Sequence, residues 1–188
     1  MIIAITGGIG AGKTTAITKI KQMGYLVISA DEVYGELVKD PTFVQGVYRA
    51  IEVDCDKFEL DRNLVSTAVF HSPEKLKALN EYTHAKIYSA MFEKSKGRDV
   101  VFHEVPLLFE SGYQQKYDKV IVIIRDINSR IQSVKARSGL STDEVVSRIK
   151  NQYDYENLDK TKHTVITNDG NLLEFSEKVK AVVNEILG

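Results

Sequence analysis

The 188-residue sequence has a single cysteine, Cys55, so it can form neither an internal disulfide nor a cysteine-rich zinc site. Cys55 reads as a small semi-buried residue. Charge of one sign is also lacking. Lys and Arg total 25 against 26 Asp and Glu, and the formal net charge of −1 argues against a dedicated nucleic-acid binder. No apolar run is long enough to span a membrane, and Met1 leads straight into a strand without a basic flank and long apolar core. A cytoplasmic protein is therefore expected. Internal repeats and low-complexity tracts are missing as well. What is present is ordinary for a globule: 43% hydrophobic and 27% charged residues, in a length that suits one domain.

Strand-like runs occur at 2–6, 25–29, 99–104, 119–124 and 164–167, with helical patterns between them. That alternation predicts an α/β fold with a mainly parallel sheet. Helix starts are legible at Asp40-Pro41 and Ser72-Pro73, where a capping residue precedes proline at the first helical position. Ser141-Thr142-Asp143-Glu144 fits a capping box and leads into Val145, Val146 and Ile149 on one face. A last helix starts near Asn171, with Leu172, Phe175, Val179, Val182 and Ile186 as its expected core stripe.

The most informative segment is Gly7-Gly8-Ile9-Gly10-Ala11-Gly12-Lys13-Thr14, which satisfies the phosphate-binding pattern G-x-x-x-x-G-K-[ST]. Met1 to Thr6 reads as a buried strand ahead of it. Behind it Ala16, Ile17, Ile20 and Met23 share a helical face that ends at Gly24. Glycines let successive backbone N–H groups converge on an anion, and the following helix adds the positive end of its dipole. Lys13 is expected to reach the β- and γ-phosphates of a nucleotide and the Thr14 hydroxyl to ligate Mg²⁺. Gly8, Gly10, Ala11, Gly12, Lys13, Thr14 and Thr15 are the expected nucleotide contacts.

A phosphate loop serves kinases, switches and motors alike. The Asn-Lys-x-Asp base-reading motif of guanine-nucleotide switches is not in the chain. Nor does an aspartate directly follow an apolar strand as in motors: Val100-Val101-Phe102 runs into His103-Glu104, and Ile121-Val122-Ile123-Ile124 into Arg125-Asp126. Size and motif content favour a small-molecule kinase. Asp31 follows the strand-like run ending at Ala30, at the sheet edge where open α/β folds bind ligands. It reads equally as the base that takes an acceptor proton and as a cap for a helix over 32–39. Residues 125–152 carry Arg125, Arg130, Lys135, Arg137, Arg148 and Lys150 against Asp126, Asp143 and Glu144, the composition of a lid closing over phosphates. Arg137, just before Ser138-Gly139, sits best for a hinge. His71, His103 and His163 have no metal-site spacing.

At this point the chain resembles the dephospho-coenzyme A kinase family. Ile5 to Thr14 is similar to that family's phosphate loop, and Asp31 falls at its catalytic aspartate. Leu60-Asp61-Arg62 through Val69-Phe70 resembles its substrate-side motif. Leu79-Asn80, His84 and the run Pro106-Leu107-Leu108-Phe109-Glu110 follow in order, then Arg137, Gln152 and Asn168-Asp169-Gly170. The resemblance implies a P-loop NTPase fold of the nucleotide-kinase-like, three-layer kind, with a parallel five-stranded sheet and a helical lid. It implies one P-loop kinase domain over 1–188, an acceptor-binding helical region at about 32–95 and a lid at about 126–158. The implied reaction is ATP- and Mg²⁺-dependent phosphorylation of the ribose 3′-hydroxyl of dephospho-coenzyme A, with no nucleic-acid or membrane partner, by a monomer or small homo-oligomer. In that picture Asp31 is the base, and Lys13 and Arg137 stabilise phosphoryl charge. Thr14 holds the metal, Asp31, Arg62 and His84 face the acceptor, and Asn168 approaches the adenine.

The chain also departs from the family pattern. Ser29 replaces an aspartate, Glu104 an aspartate, Arg130 a lid glutamine, Ser133 an arginine, and Lys162-His163 an Ala-Asp pair. The stretch between Asp31 and Arg62 is shorter than usual. Pro106 to Phe109 is expected as a buried bend after a strand, and Glu110 as either a site residue or a cap. A nucleoside or nucleotide kinase with a changed acceptor pocket, and a non-catalytic nucleotide-binding regulator, are the alternative readings.

Overall fold

A computed structural model describes residues 1–155 and 157–188. The chain runs β1 (Ile2–Gly7), α1 (Lys13–Gln22), β2 (Leu26–Ser29), α2 (Ala30–Leu37), α3 (Pro41–Ala50), α4 (Arg62–Phe70), α5 (Pro73–Ser95), β3 (Val101–Glu104), α6 (Leu108–Ser111), β4 (Lys119–Ile124), α7 (Ile127–Ser138), α8 (Thr142–Lys150), β5 (Thr164–Thr167) and α9 (Leu172–Leu187). All of the strand-like runs become strands of one five-stranded sheet, ordered β2-β3-β1-β4-β5. β1 lies at its centre, parallel to β3 on one side (Ile3 opposite Phe102) and to β4 on the other (Ile5 opposite Ile121). The strand order reverses there, which opens a crevice at the carboxyl end of β1, where the phosphate loop starts.

The chain divides into two compact units, Met1–Val27 with Gly97–Gly188, and Ile28–Lys96. The first is built round β1. Ile3, Ile5, Phe102, Ile121 and Ile123 meet Ala16 and Ile20 of α1 and Phe175, Val179 and Val183 of α9 in one core. Strands covered on both faces read as continuous apolar runs, as these do. On α9 the expected stripe is corrected at its start: Leu172 is 72% exposed, and Val183 takes a core place. Asn171 caps the helix by accepting from the Leu173 and Glu174 N–H groups, which turns the first residue outward. From Phe175 the 3.6-residue period carries the buried face through Val179 to Val183. The expected buried bend is also corrected. Leu108 is fully buried, but Leu107 is 45% exposed, and the run passes into the short helix α6.

The second unit packs α2, α3, α4 and α5 together. Phe43, Val44, Val47 and Tyr48 of α3 are buried, and the Tyr82 ring of α5 lies 5.7 Å from that of Phe43. The short connection before α4 is organised by α3. Gln45 Nε2 donates to the carbonyls of Cys55 (3.2 Å) and Lys57 (2.8 Å). The Tyr48 hydroxyl donates to the Glu59 carbonyl and accepts from the Asp61 N–H, both at 2.9 Å. Asp61 then caps α4 by accepting from Leu64 N–H at 3.0 Å. Its carboxyl is held below the usual range, first by the Lys57 ammonium and then by that cap bond. Cys55 is half-buried, as its reading requires.

His103 on β3 gives a pH test of this core. It is fully buried, its Nδ1 lies 3.1 Å from the Tyr117 hydroxyl, and burial pushes it down to about 4 from an ordinary 6.5. The folded state therefore holds a neutral ring where the unfolded chain takes up a proton. Stability from this group is complete above the unfolded value of about 6.5 and is lost as pH falls towards 4, by about 3 kcal/mol over that window. Urea unfolding at pH 7.5 and pH 4.5 is expected to show this fall in the wild type. The His103→Asn variant is expected to start less stable and to show a shallower fall; equal slopes would refute the assignment.

Candidate active site

The site in the first unit grows from β1. Its last residue, Gly7, opens a loop that ends at Lys13, the first residue of α1. The loop turns tightly: the Ala11 N–H donates to the Gly8 carbonyl at 3.1 Å. Gly10 and Gly12 have φ of +77° and +110°, which other residues rarely adopt. A Cβ on Gly10 would stand 2.6 Å from the Arg130 carbonyl oxygen, and one on Gly12 2.5 Å from Asn168 Nδ2. Shape and neighbours both demand glycine at these two positions. Lys13 Nζ reaches back across the loop and donates to the carbonyls of Gly7 (2.5 Å) and Gly8 (3.3 Å). Thr14 and Thr15 follow in the first turn of α1, Thr14 exposed.

Neighbouring elements hold the loop from several sides. Asn168, just past β5, donates from its own N–H to the Ile124 carbonyl and from Nδ2 to the Ala11 carbonyl, both at 2.9 Å. The Ile9 N–H donates to Gln152 Oε1 at 2.7 Å, and the Ile9 carbonyl accepts from Arg130 Nε at 3.0 Å. Tyr155 is buried, its hydroxyl 3.2 Å from that of Thr6 on β1. Burial pushes its phenol up to about 12, so it stays neutral. Beside the loop a cavity of about 310 Å³ is lined by Gly8, Ala11, Arg125, Arg130, Lys160 and Tyr155, among others. Arg125, Arg130 and Lys160 give it a cationic wall, with Asp126 of opposite sign, among its described lining residues. Such a wall suits a polyanion.

Of the residues expected from sequence, Gly8, Gly10, Ala11, Gly12, Lys13, Thr14, Thr15 and Asn168 gather at this loop. Asn168 meets the loop backbone through its carboxamide. Arg137 lies in the exposed last turn of α7, ahead of Gly139 (φ +68°), and is not among the cavity's lining residues. The buried arginine at the loop is Arg130, with an exposure of 6%. In the sequence it stands out only as a replaced glutamine. Ser133, the replaced arginine, accepts from Arg125 Nη1 at 2.7 Å. Glu110 accepts from the Tyr153 N–H at 2.8 Å, and Phe109 stacks on Tyr153 at 4.5 Å, which anchors the chain leading to Tyr155. Among the described residues no cluster of three His, Cys, Asp or Glu side chains could hold a metal.

Asp31, Arg62 and His84 belong to the second unit. The reading of Asp31 as a helix cap is corrected: α2 begins at Ala30, with Ser29 in the cap position, so Asp31 is an exposed residue inside the first turn. Arg62 is the exposed first residue of α4, directly after the Asp61 cap whose N–H donates to the Tyr48 hydroxyl. His84 is half-buried on α5, and desolvation lowers its basicity.

Comparison with known proteins decides the family. The dephospho-CoA kinase family profile matches residues 1–174. This chain belongs to the dephospho-CoA kinase family. A dephospho-CoA kinase of Chlorobaculum tepidum is 33% identical over 199 residues, covering 100% of this chain and 95% of its own. The crystal structure of a Thermus thermophilus protein superposes with a TM-score of 0.83 at 32% identity, covering 100% and 98%. The dephospho-CoA kinase of Campylobacter jejuni has a TM-score of 0.70 at 26% identity, covering 98% and 96%. The fold is that of the P-loop kinases, and dephospho-CoA kinases are transferases. No helix among the described residues is long and apolar enough to cross a membrane.

Proposed function

We propose that the chain transfers the γ-phosphoryl group of ATP to the ribose 3′-hydroxyl of dephospho-CoA, giving CoA and ADP. The observation that carries this is the glycine-rich loop closed by Lys13 at the start of α1, in a chain matched to the family from residue 1 to residue 174. Loop N–H groups and the α1 dipole receive the phosphates, and Lys13 bears on the β- and γ-oxygens. Asp31 accepts the proton of the attacking hydroxyl, and Arg62 and His84 bind the acceptor. Arg137 reaches the transferring group as the lid closes, and Asn168 lies on the adenine side. The acceptor region is about 32–95 and the lid about 126–158 of a single kinase domain, active as a monomer or small homo-oligomer in the cytoplasm.

Mg²⁺ fits what is present. Thr14 offers a hydroxyl oxygen in the exposed first turn of α1, a hard donor. Mg²⁺ is commonly held by very few protein ligands together with substrate phosphates, so a sparse protein donor set is compatible with it. Bound there, it neutralises charge on the phosphates.

The test is ADP release with Mg·ATP against dephospho-CoA, the common nucleosides, their monophosphates and a blank without acceptor. Turnover selective for dephospho-CoA, with CoA identified by mass, is the expected result. Turnover only on a nucleoside or nucleotide would overturn the acceptor while keeping the donor chemistry. Silence across the panel with ATP still bound would favour a regulatory nucleotide-binding protein.

A further inference from the structure

Ile9 lies in the middle of the phosphate loop, and both polar groups of its backbone are engaged by side chains from outside the loop. Its N–H is taken by Gln152 Oε1 and its carbonyl by Arg130 Nε. The two side chains come from opposite ends of the α7–α8 pair. Arg130 stands near the start of α7, and Gln152 just beyond the end of α8. Arg130 is buried against the loop, its guanidinium filling the space that a Cβ on Gly8 would need.

The peptides on either side of Ile9 are the ones a phosphate loop can least afford to leave loose. The peptide from Ile9 to Gly10 is the looser of the two, since a flip there changes φ of Gly10 and glycine accepts both signs of φ. A flip there would put the Ile9 carbonyl where the Gly10 N–H stands and turn a donor into a dipole that repels an anion. Gln152 fixes the direction of one peptide by its N–H, and Arg130 fixes the next by its carbonyl. Arg130 does so with a charge-assisted bond in a buried setting, where such bonds are strong.

We propose that Arg130 and Gln152 are a pair of positioning residues that clamp the backbone of Ile9 and so hold the phosphate loop in its anion-binding shape. The inference rests on the reading of the chain as an ATP-dependent kinase. Its consequence is that the helices α7 and α8 govern nucleotide affinity through the loop backbone. The cation of Arg130 matters less for its charge than for where its Nε–H points.

Binding of ADP to purified Arg130→Lys, Gln152→Ala and the double variant, measured by calorimetry beside the steady-state constants, tests this. Arg130→Lys keeps the charge but loses the Nε donor, and Gln152→Ala acts at a half-buried site where misfolding is a small risk. Each single variant is expected to weaken ADP by about tenfold and to raise the KM for ATP in step, while the KM for dephospho-CoA stays unchanged. Both residues hold the same unit, so the double variant is expected to lose no more than about threefold beyond the weaker single. Amide exchange at residues 8–10 is expected to quicken in both. If Arg130→Lys and Gln152→Ala each bind ADP within about twofold of wild type, the clamp is refuted, whatever the activity. A wild type that neither binds ADP nor turns over would instead refute the kinase reading, and the inference with it.

Discussion

Replacing Lys13 with alanine is expected to lower kcat/KM for ATP by roughly 10²–10³-fold, the usual cost of removing one preorganised donor from a developing anion. Lys13 is the first residue of α1 and already lies over the loop, with Nζ within hydrogen-bond reach of the Gly7 and Gly8 carbonyls. A γ-phosphate bound in the loop would meet an ammonium that needs little reorganisation to bear on it. Arginine is not expected to restore the rate, since its planar fork cannot reproduce the contacts of a compact ammonium at so close a site. The same substitution removes a clip between the side chain and two loop carbonyls, a change of about 1 kcal/mol in stability. Steady-state rates and a thermal melt, taken together, separate the two effects. A large loss of rate with a small shift in melting identifies Lys13 as a phosphoryl ligand. Comparable losses in both would make it a structural tie.

The phosphate loop was legible because its chemistry is local. The glycines, Lys13 and Thr14 fall in one short segment between a strand and a helix, so a linear pattern captures the whole device. The sheet was legible for a related reason, since strands buried on both faces write continuous apolar runs. The helix caps at Asp40, Ser72, Ser141 and Asn171 were readable too, because a cap is a contact within a few residues of its own helix.

What escaped the sequence is which residues meet at long range, even where Gln152 and Asn168 were themselves marked. Arg130 and Ile9 are 121 residues apart, Gln152 and Ile9 143, and Asn168 and Ala11 157. Nothing in the pattern of α7 marks Arg130 as the buried arginine, because it is one of several basic residues between 125 and 152. Arg137, beside a glycine and a capping box, carried the stronger local signal. The organisation of the segment before α4 was hidden in the same way. Gln45 and Tyr48 read as ordinary members of a helix, yet they satisfy the carbonyls of Cys55, Lys57 and Glu59 and set the cap that presents Arg62. Leu172 misled for the opposite reason. It fits the apolar period of α9, but the period says nothing of where the cap starts the first turn, and the cap turns Leu172 to solvent.

Asp31→Asn is expected to reduce kcat by about 10²–10⁴-fold, the range that positioned general bases contribute, and to leave ADP affinity at the wild-type value. The argument begins from the placement of Asp31. It follows β2 at the carboxyl end of the strand and lies within the first turn of α2, exposed, while Ser29 occupies the cap position. Asp31 is not the cap; in the first turn its carboxylate meets the positive end of the helix dipole and stays exposed. Asparagine keeps the size and one oxygen but cannot take a proton at neutral pH, so the fold survives and proton transfer does not. ADP carries neither the transferring phosphoryl group nor the acceptor hydroxyl, so the lost proton acceptor has no counterpart in ADP binding. The decisive measurement pairs single-turnover phosphorylation of dephospho-CoA with calorimetric binding of ADP. Slow chemistry with intact binding makes Asp31 the base. An unchanged rate would pass that role to another residue, and a parallel loss of ADP affinity would make Asp31 part of the nucleotide site instead.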